Sequence, residues 1–318
     1  MRILSFDELT PELDRSRGVV NLAAFGNLFT RERITALRQR LNGFSEYVGV
    51  FGVEDNHVLG QVFVLRIPYE FPDGPAEISG IATVATRPES GRAGVARALM
   101  LDAHRREREA GVRYAALWTN GSWGAHHLYE KLGYRDVYSS PWALHFPARV
   151  RRPAPPVRFA RRSDLDEIDR LHDRLARGRI GFCRRPRGSL RADVQGRYVD
   201  PSTDLVIRRK GGQLVGYAHL DRNSRRIICG EMVATSLAVK RELVAGVEWV
   251  ANRLPFAFQH TPVTDSPGLF RGRAYESGPT SWWGMLAADL SRTWTARSAV
   301  QRFGTRDSRF LCLAGDRF

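Results

Sequence analysis

Residues 81–134 read IATVATRPESGRAGVARALMLDAHRREREAGVRYAALWTNGSWGAHHLYEKLGY. The stretch opens on a β-branched run, Ile81, Thr83 and Val84, and breaks at Arg87-Pro88-Glu89-Ser90-Gly91. It passes through Arg92-Ala93-Gly94-Val95-Ala96 into an amphipathic segment that runs to Ala110 and stops at Gly111. The spacing predicts strand, glycine-containing turn and helix. A turn feeding straight into a helix leaves the first backbone N–H groups without intrahelical partners, all directed at one spot. Together with the helix dipole they form an anion site suited to phosphate.

Two motifs in this stretch resemble the core of the GNAT acetyltransferases. The first is the family's Gln/Arg-x-x-Gly-x-Gly/Ala turn, whose last two positions Gly94 and Ala96 fill; Gly91 stands at the Gln/Arg position, with Arg92 following. The second is Asn-x-x-Ala-x-x-Leu-Tyr-Glu-Lys-Leu-Gly-Tyr/Phe, matched by Ala125, Leu128 and Tyr129-Glu130-Lys131-Leu132-Gly133-Tyr134, with Ser122 at the Asn position. The motifs stand in the family's order, about thirty residues apart, with a helix and a strand between them.

The resemblance implies an α/β (α+β) GNAT fold, a mixed central sheet flanked by helices, and an acetyl-CoA co-substrate whose acetyl group passes to a primary amine by direct attack in a ternary complex. It places the pyrophosphate arm on Gly91, Arg92, Ala93, Gly94, Val95, Ala96 and Arg97. Val84, Ala85 and Thr86 would pair with the pantetheine amides like an added strand, and Ser122 would hydrogen-bond the same arm. Tyr129 is the expected general acid for the departing thiolate, the alternative being an amphipathic core tyrosine. Glu77, near the start of the strand, is the nearest carboxylate that could serve as base, directly or through water. Trp118, Trp123 and Tyr47 are candidates for an acceptor pocket or for the core. No metal is expected: His126 and His127 are adjacent, so they point to different faces of a helix.

Upstream, Ile3 to Phe6 suits a first strand, and Asp7 to Leu41 two helices joined around Gly26. Tyr47 to Val53 and Val58 to Leu65 flank the turn Glu54-Asp55-Asn56-His57 as a hairpin, and Pro68, Pro72, Gly74 and Pro75 suggest a loop. Downstream, strands are expected near 135–138 and 142–146, closing a first domain at 1–148. Residues 149–156 form a stiff Pro- and Arg-rich linker.

In 157–318 the element order repeats: a strand at Val157-Arg158-Phe159, a helix from Ser163, a hairpin around Lys210-Gly211-Gly212, a strand from Arg226 to Ala234, and a helix from Leu237 to Leu254. Val233-Ala234-Thr235-Ser236-Leu237, however, lacks a glycine turn. Side chains there would hold backbone N–H groups away from a pyrophosphate. The fold is therefore read as duplicated, with a degenerate second GNAT-like domain that binds no coenzyme, an arrangement similar to Eis-like aminoglycoside acetyltransferases. Residues 272–318 follow no clear pattern.

With 318 residues the chain has length for about two domains. Its 43% apolar and 26% charged content is that of a globular protein, with no apolar run long enough to span a membrane. The N-terminus lacks a signal-peptide pattern, and Cys183, Cys229 and Cys312 are few and far apart, so the expected compartment is cytoplasmic. The net charge is +15, and lysine occurs only at 131, 210 and 240, a skew that fits genome composition better than selection for recognition. Such a field would steer an anionic ligand such as the coenzyme. A second class of function, a non-catalytic acyl-CoA-sensing or nucleic-acid-binding regulator on the same scaffold, takes support from the charge and from Arg184-Arg185-Pro186-Arg187. Against it, no aromatic RNA motif or helix-turn-helix spacing stands out. A homodimer is left open, as is the acceptor amine.

Overall fold

The computed structural model describes residues 1–26, 30–32, 47–145, 154–182, 185, 188–196, 198–222, 226–251, 254–260, 263, 266–270, 275–278 and 283–312. Most of the expected second N-terminal helix and most of the expected linker fall outside the described residues. The chain begins with β1 (Arg2–Ser5), α1 (Pro11–Phe25), β2 (Tyr47–Glu54), β3 (His57–Phe71) and β4 (Gly74–Thr86). Then come α2 (Val95–Glu109), β5 (Tyr114–Asn120), α3 (Gly124–Lys131), β6 (Arg135–Ser139) and β7 (Trp142–His145). The second half holds β8 (Arg158–Phe159), α4 (Leu165–Ala176), β9 (Ile180–Gly181), α5 (Ser189–Gln195), α6 (Pro201–Asp204), β10 (Leu205–Lys210) and β11 (Gln213–Arg222). It ends with β12 (Ile227–Ala234), α7 (Leu237–Ala251), β13 (Phe256–Gln259), β14 (Tyr275–Gly278), β15 (Trp283–Asp289), α8 (Ala296–Phe303) and β16 (Phe310–Leu311). Contacts divide it into two units, Met1–Tyr138 with Gly284–Phe303, and Ser139–Trp283 with Gly304–Arg317.

In the first unit the strands follow the order β1-β2-β3-β4-β5-β15-β6. The β2–β3 turn places Asp55 and Asn56 at φ 44° and 60°. Two left-handed residues of the short polar kind suit a tight hairpin whose twist matches its strands. The prolines expected to mark a loop instead lie in a long β3–β4 hairpin, with Pro68 opposite Glu77 and Glu70 opposite Pro75. β2 pairs with β3 only as far as Tyr47↔Leu65, so Pro68 removes no donor from that ladder. α2 turns Val95, Leu99, Met100 and Ala103 onto the sheet, against Val50, Val62, Val64, Ile81, Ala115 and Leu117. Each fully buried aliphatic side chain of this kind contributes roughly 1.5–3 kcal/mol. The opposite face of α2 is charged and laced by Arg105 and Arg106 to Asp102.

The expectation that strand 142–146 closes the first unit is not met. Ser140-Pro141 follows β6 directly, and a proline without an N–H ends that ladder. β7 pairs instead with β13 and β14, in the second sheet. The strand that completes the first sheet is β15, between β5 and β6. Met285, Leu286, Ala287 and Ala288 are all buried, the continuous apolar run of a strand covered on both faces. Arg113 ion-pairs Asp289 at 3.1 Å, and Arg113 O accepts the Leu290 N–H at 2.8 Å, joining β15 to the start of β5. Phe303 of α8 then packs on Tyr69, Phe71 and Tyr114, and its carbonyl accepts the Tyr69 hydroxyl at 2.6 Å. Part of the unreadable C-terminal stretch is thus core of the first unit.

The second sheet runs β14-β7-β13-β12-β11-β10-β8, with β12 and β13 parallel. α7 packs Val239, Leu243, Val244 and Val247 against Val206, Ala218, Phe256 and Phe258. The hairpin, the parallel crossover and the long helix therefore repeat the first unit's order.

Candidate active site

β4 and β5 run parallel from Ile78↔Tyr114 to Ile81↔Leu117. Beyond that point β4 continues to Thr86 and β5 to Asn120 with no register between them. The two strands part, and Ala82–Thr86 keeps a backbone edge facing β5 unpaired. A bulge in β4 accompanies the parting. The β3 register steps from Phe63↔Ala82 to Gln61↔Ala85, so Thr83 and Val84 share one opposing position.

Thr83 takes φ 48°, a conformation costly for a β-branched residue unless its surroundings impose it. Gln61, fully buried, donates through Nε2 to Thr83 O at 3.2 Å and to Asn21 Oδ1 at 2.9 Å. Asn21 Nδ2 donates back to Gln61 Oε1 at 3.3 Å. This reciprocal amide pair ties α1 to the bulge, and sequence reading missed it.

Past β4, Arg87 holds the chain. Its guanidinium donates to Val58 O at 2.8 Å and to Ser16 Oγ at 2.9 Å, while its N–H reaches Leu59 O. The turn then makes internal bonds from Gly91 N–H to Pro88 O and from Ala93 N–H to Ser90 O. Gly91 and Ala93 therefore use their donors within the turn itself. Gly94 is the N-cap of α2 at φ 79°, where glycine has no Cβ penalty. The first α2 bond is Ala98 N–H to Gly94 O. Among the described residues, the N–H groups of Arg92, Gly94, Val95, Ala96 and Arg97 have no acceptor. No acidic residue occupies the first turn of α2, so its positive end is unneutralised. The site has the donor set of an anion cradle.

Tyr129 on α3 is 7% exposed, and burial pushes its hydroxyl up to about 12. No described residue hydrogen-bonds that hydroxyl. Tyr134, edge-on to Tyr129 at 5.9 Å, differs: its hydroxyl is 2.8 Å from His104 Nε2 in the core. Burial holds His104 at about 4, hence neutral. Ser122 is placed by Asn120, whose Oδ1 accepts the Ser122 N–H at 2.9 Å and the Ser122 hydroxyl at 2.7 Å. This Asx turn leads into α3 and leaves Ser122 only acceptor capacity for a ligand. Trp118 meets Tyr138 edge-on at 6.0 Å, Trp123 is half exposed, and the side chain of Tyr47 lies outside the described residues.

Glu77 is exposed and lies opposite Pro68, one residue before the parallel β4–β5 pairing begins. At about 3.3 Å per residue it is roughly 13 Å along β4 from Ile81, where the strands part. The Glu77 carboxylate could reach a bound amine there only through intervening water. Ser79, nearer the gap, donates to Glu107 Oε2 at 2.6 Å, and Glu107 is paired with Arg66.

The second unit differs at the corresponding helix start. Ser236 Oγ accepts the Val239 N–H at 3.3 Å, capping α7 with a side chain. β12 also has a bulge, at Gly230, between His219↔Glu231 and Leu220↔Cys229. Next to it Glu231, 1% exposed, accepts both Arg185 nitrogens at 2.8 and 2.7 Å and the Tyr217 hydroxyl. Burial opposes its charge, but the Arg185 guanidinium holds it well below the usual carboxylate range. A cleft of about 850 Å³ opens beside this pair, lined in part by Asp169, His172, Gly188 and Leu214. Burial raises Asp169 to about 6.

The sequence profile of the acetyltransferase (GNAT) domain matches residues 18–137. No curated protein matches the chain. Among solved structures, a probable N-acyltransferase of Enterococcus faecalis is similar at 16% identity, TM-score 0.63, covering 91% of this chain and 72% of its own. A GCN5-related N-acetyltransferase of Kribbella flavida gives 18% and 0.61, covering 90% and 70%. Eis1 of Mycobacterium abscessus gives 17% and 0.59, covering 91% and 74%. These likenesses establish the fold across both units. Residues 18–137 carry a GNAT acetyltransferase domain.

Proposed function

We propose that the protein transfers an acetyl group from acetyl-CoA to a primary amine by direct attack within a ternary complex. The observation that carries this reading is the row of unpartnered N–H groups at Arg92, Gly94, Val95, Ala96 and Arg97, beside the parted edge of β4. Those donors fit a pyrophosphate, and the open edge at Val84–Thr86 fits the amides of a pantetheine arm. The co-substrate supplies an activated acetyl thioester. The chain supplies orientation through the cradle, and the bulge at Thr83 re-aims the backbone at the gap. Tyr129 keeps its proton at neutral pH and can deliver it from Oη to a departing thiolate. Glu77, if it draws a proton from the amine, acts through water. Among the described residues the row of unpartnered donors precedes α2 alone, while α7 is capped by Ser236, which supports one coenzyme site and a second domain without one.

Acetyl-CoA at a hundredfold excess over its Kd is expected to raise the first thermal transition by about 5 °C. No shift at saturation would sink the proposal. A panel of primary amines assayed for thiol release then identifies the acceptor class. Gly94→Val should raise the Kd for acetyl-CoA about tenfold. A Cβ there meets open space, but a β-branched residue at φ 79° disfavours the cap by 1 kcal/mol or more. An unchanged Kd by calorimetry removes Gly94 from the cradle.

A further inference from the structure

We infer that the outer face of α3 is a binding site for a divalent transition-metal ion such as Zn²⁺, with His126, His127 and Glu130 as its ligands. Their ligand atoms lie within 4.8 Å of one another. Glu130 Oε2 is 3.1 Å from His127 Nδ1 and 3.7 Å from His126 Nδ1. Tetrahedral zinc with bonds of about 2.0–2.2 Å separates its ligands by roughly 3.3–3.5 Å, between those two distances.

Adjacency argued against this pair in the sequence, because successive Cβ atoms diverge on a helix. The imidazoles overcome that divergence by rotating about two bonds, and Glu130 reaches back one turn to meet both. His127 is 80% exposed, so its ring can turn to close the remaining edge without disturbing the core.

An independent feature supports the assignment. His126 Nε2 is 3.1 Å from Asp136 Oδ1, at the start of β6. With Nε2–H donating to that carboxylate, the Nδ1 lone pair is left facing Glu130. Metal-bound histidines are oriented by the same arrangement. Two imidazoles and a carboxylate suit zinc, cobalt or nickel better than magnesium or calcium, which prefer oxygen throughout. The fourth position opens to solvent. An ion here would join the helix bearing Tyr129 to β6 through Asp136.

The test is calorimetry of the full, tag-free chain with ZnCl₂, supported by the visible absorption of the Co²⁺ form. One Zn²⁺ per chain is expected, with a tetrahedral cobalt spectrum. His127→Ala, at an exposed position that spares the fold, should abolish the spectrum. Asp136→Asn, which leaves every ligand in place, should weaken Zn²⁺ binding about 10- to 100-fold. Absence of stoichiometric binding overturns the inference, as does binding that survives His127→Ala. Unchanged affinity in Asp136→Asn overturns the role given to Asp136.

Discussion

Tyr129→Phe is expected to lower kcat by about 10²- to 10⁴-fold while the Kd for acetyl-CoA stays within about twofold. The ring belongs to the core cluster with Leu99, Leu117 and Tyr134, and phenylalanine preserves that packing. The hydroxyl has no described partner, so its removal leaves no buried polar group unsatisfied. Burial raises the hydroxyl to about 12, and at neutral pH it is a proton donor. A loss of turnover with unchanged stability is therefore the signature of the general acid. A structural tyrosine would show the reverse. Tyr134→Phe supplies that contrast, since its hydroxyl bonds His104 inside the core. Unaltered kcat in Tyr129→Phe would remove the residue from the chemistry.

Much of this site was legible because it is local. The strand, the left-handed cap at Gly94 and the helix from Val95 are contiguous, and each follows from periodicity and glycine placement. What escaped were pairings across long separations. Gln61 and Asn21 are 40 residues apart, and nothing in either segment marks the amide pair that fixes the bulge at Thr83. The run Gly284-Met285-Leu286-Ala287-Ala288 is apolar enough to pack, but the sequence assigns it neither an element nor a sheet. It enters the first sheet, while β7 leaves for the second. The setting of Ser122 was hidden for another reason. A family position that carries an amide is occupied here by a residue whose hydroxyl is already bound to Asn120. Before α7, where the sequence has no glycine turn, Ser236 caps the helix with its side chain.

The buried ion pair of the second unit should make the largest difference to stability. Arg185→Ala is expected to cost about 3–5 kcal/mol, measured by urea unfolding, because it leaves Glu231 charged and buried with the Tyr217 hydroxyl as its remaining close donor. The sign of the pH dependence identifies the cause. In the native chain Arg185 holds the folded pKa of Glu231 below its unfolded value. That carboxylate therefore contributes stability above the unfolded carboxylate range, and the contribution is lost as pH falls through the folded pKa. Without Arg185, burial dominates and the folded pKa rises above the unfolded one. Glu231 then contributes stability at low pH that is lost as pH rises. Arg185→Ala should accordingly be less destabilised at pH 5 than at pH 8, whereas loss of packing alone would cost the same at both. Pairing Arg185→Met with Glu231→Leu removes both charges and should restore most of the stability, since a well-packed apolar pair can replace a buried ion pair at little cost. If the double variant is no more stable than Arg185→Ala, the penalty does not come from the uncompensated charge.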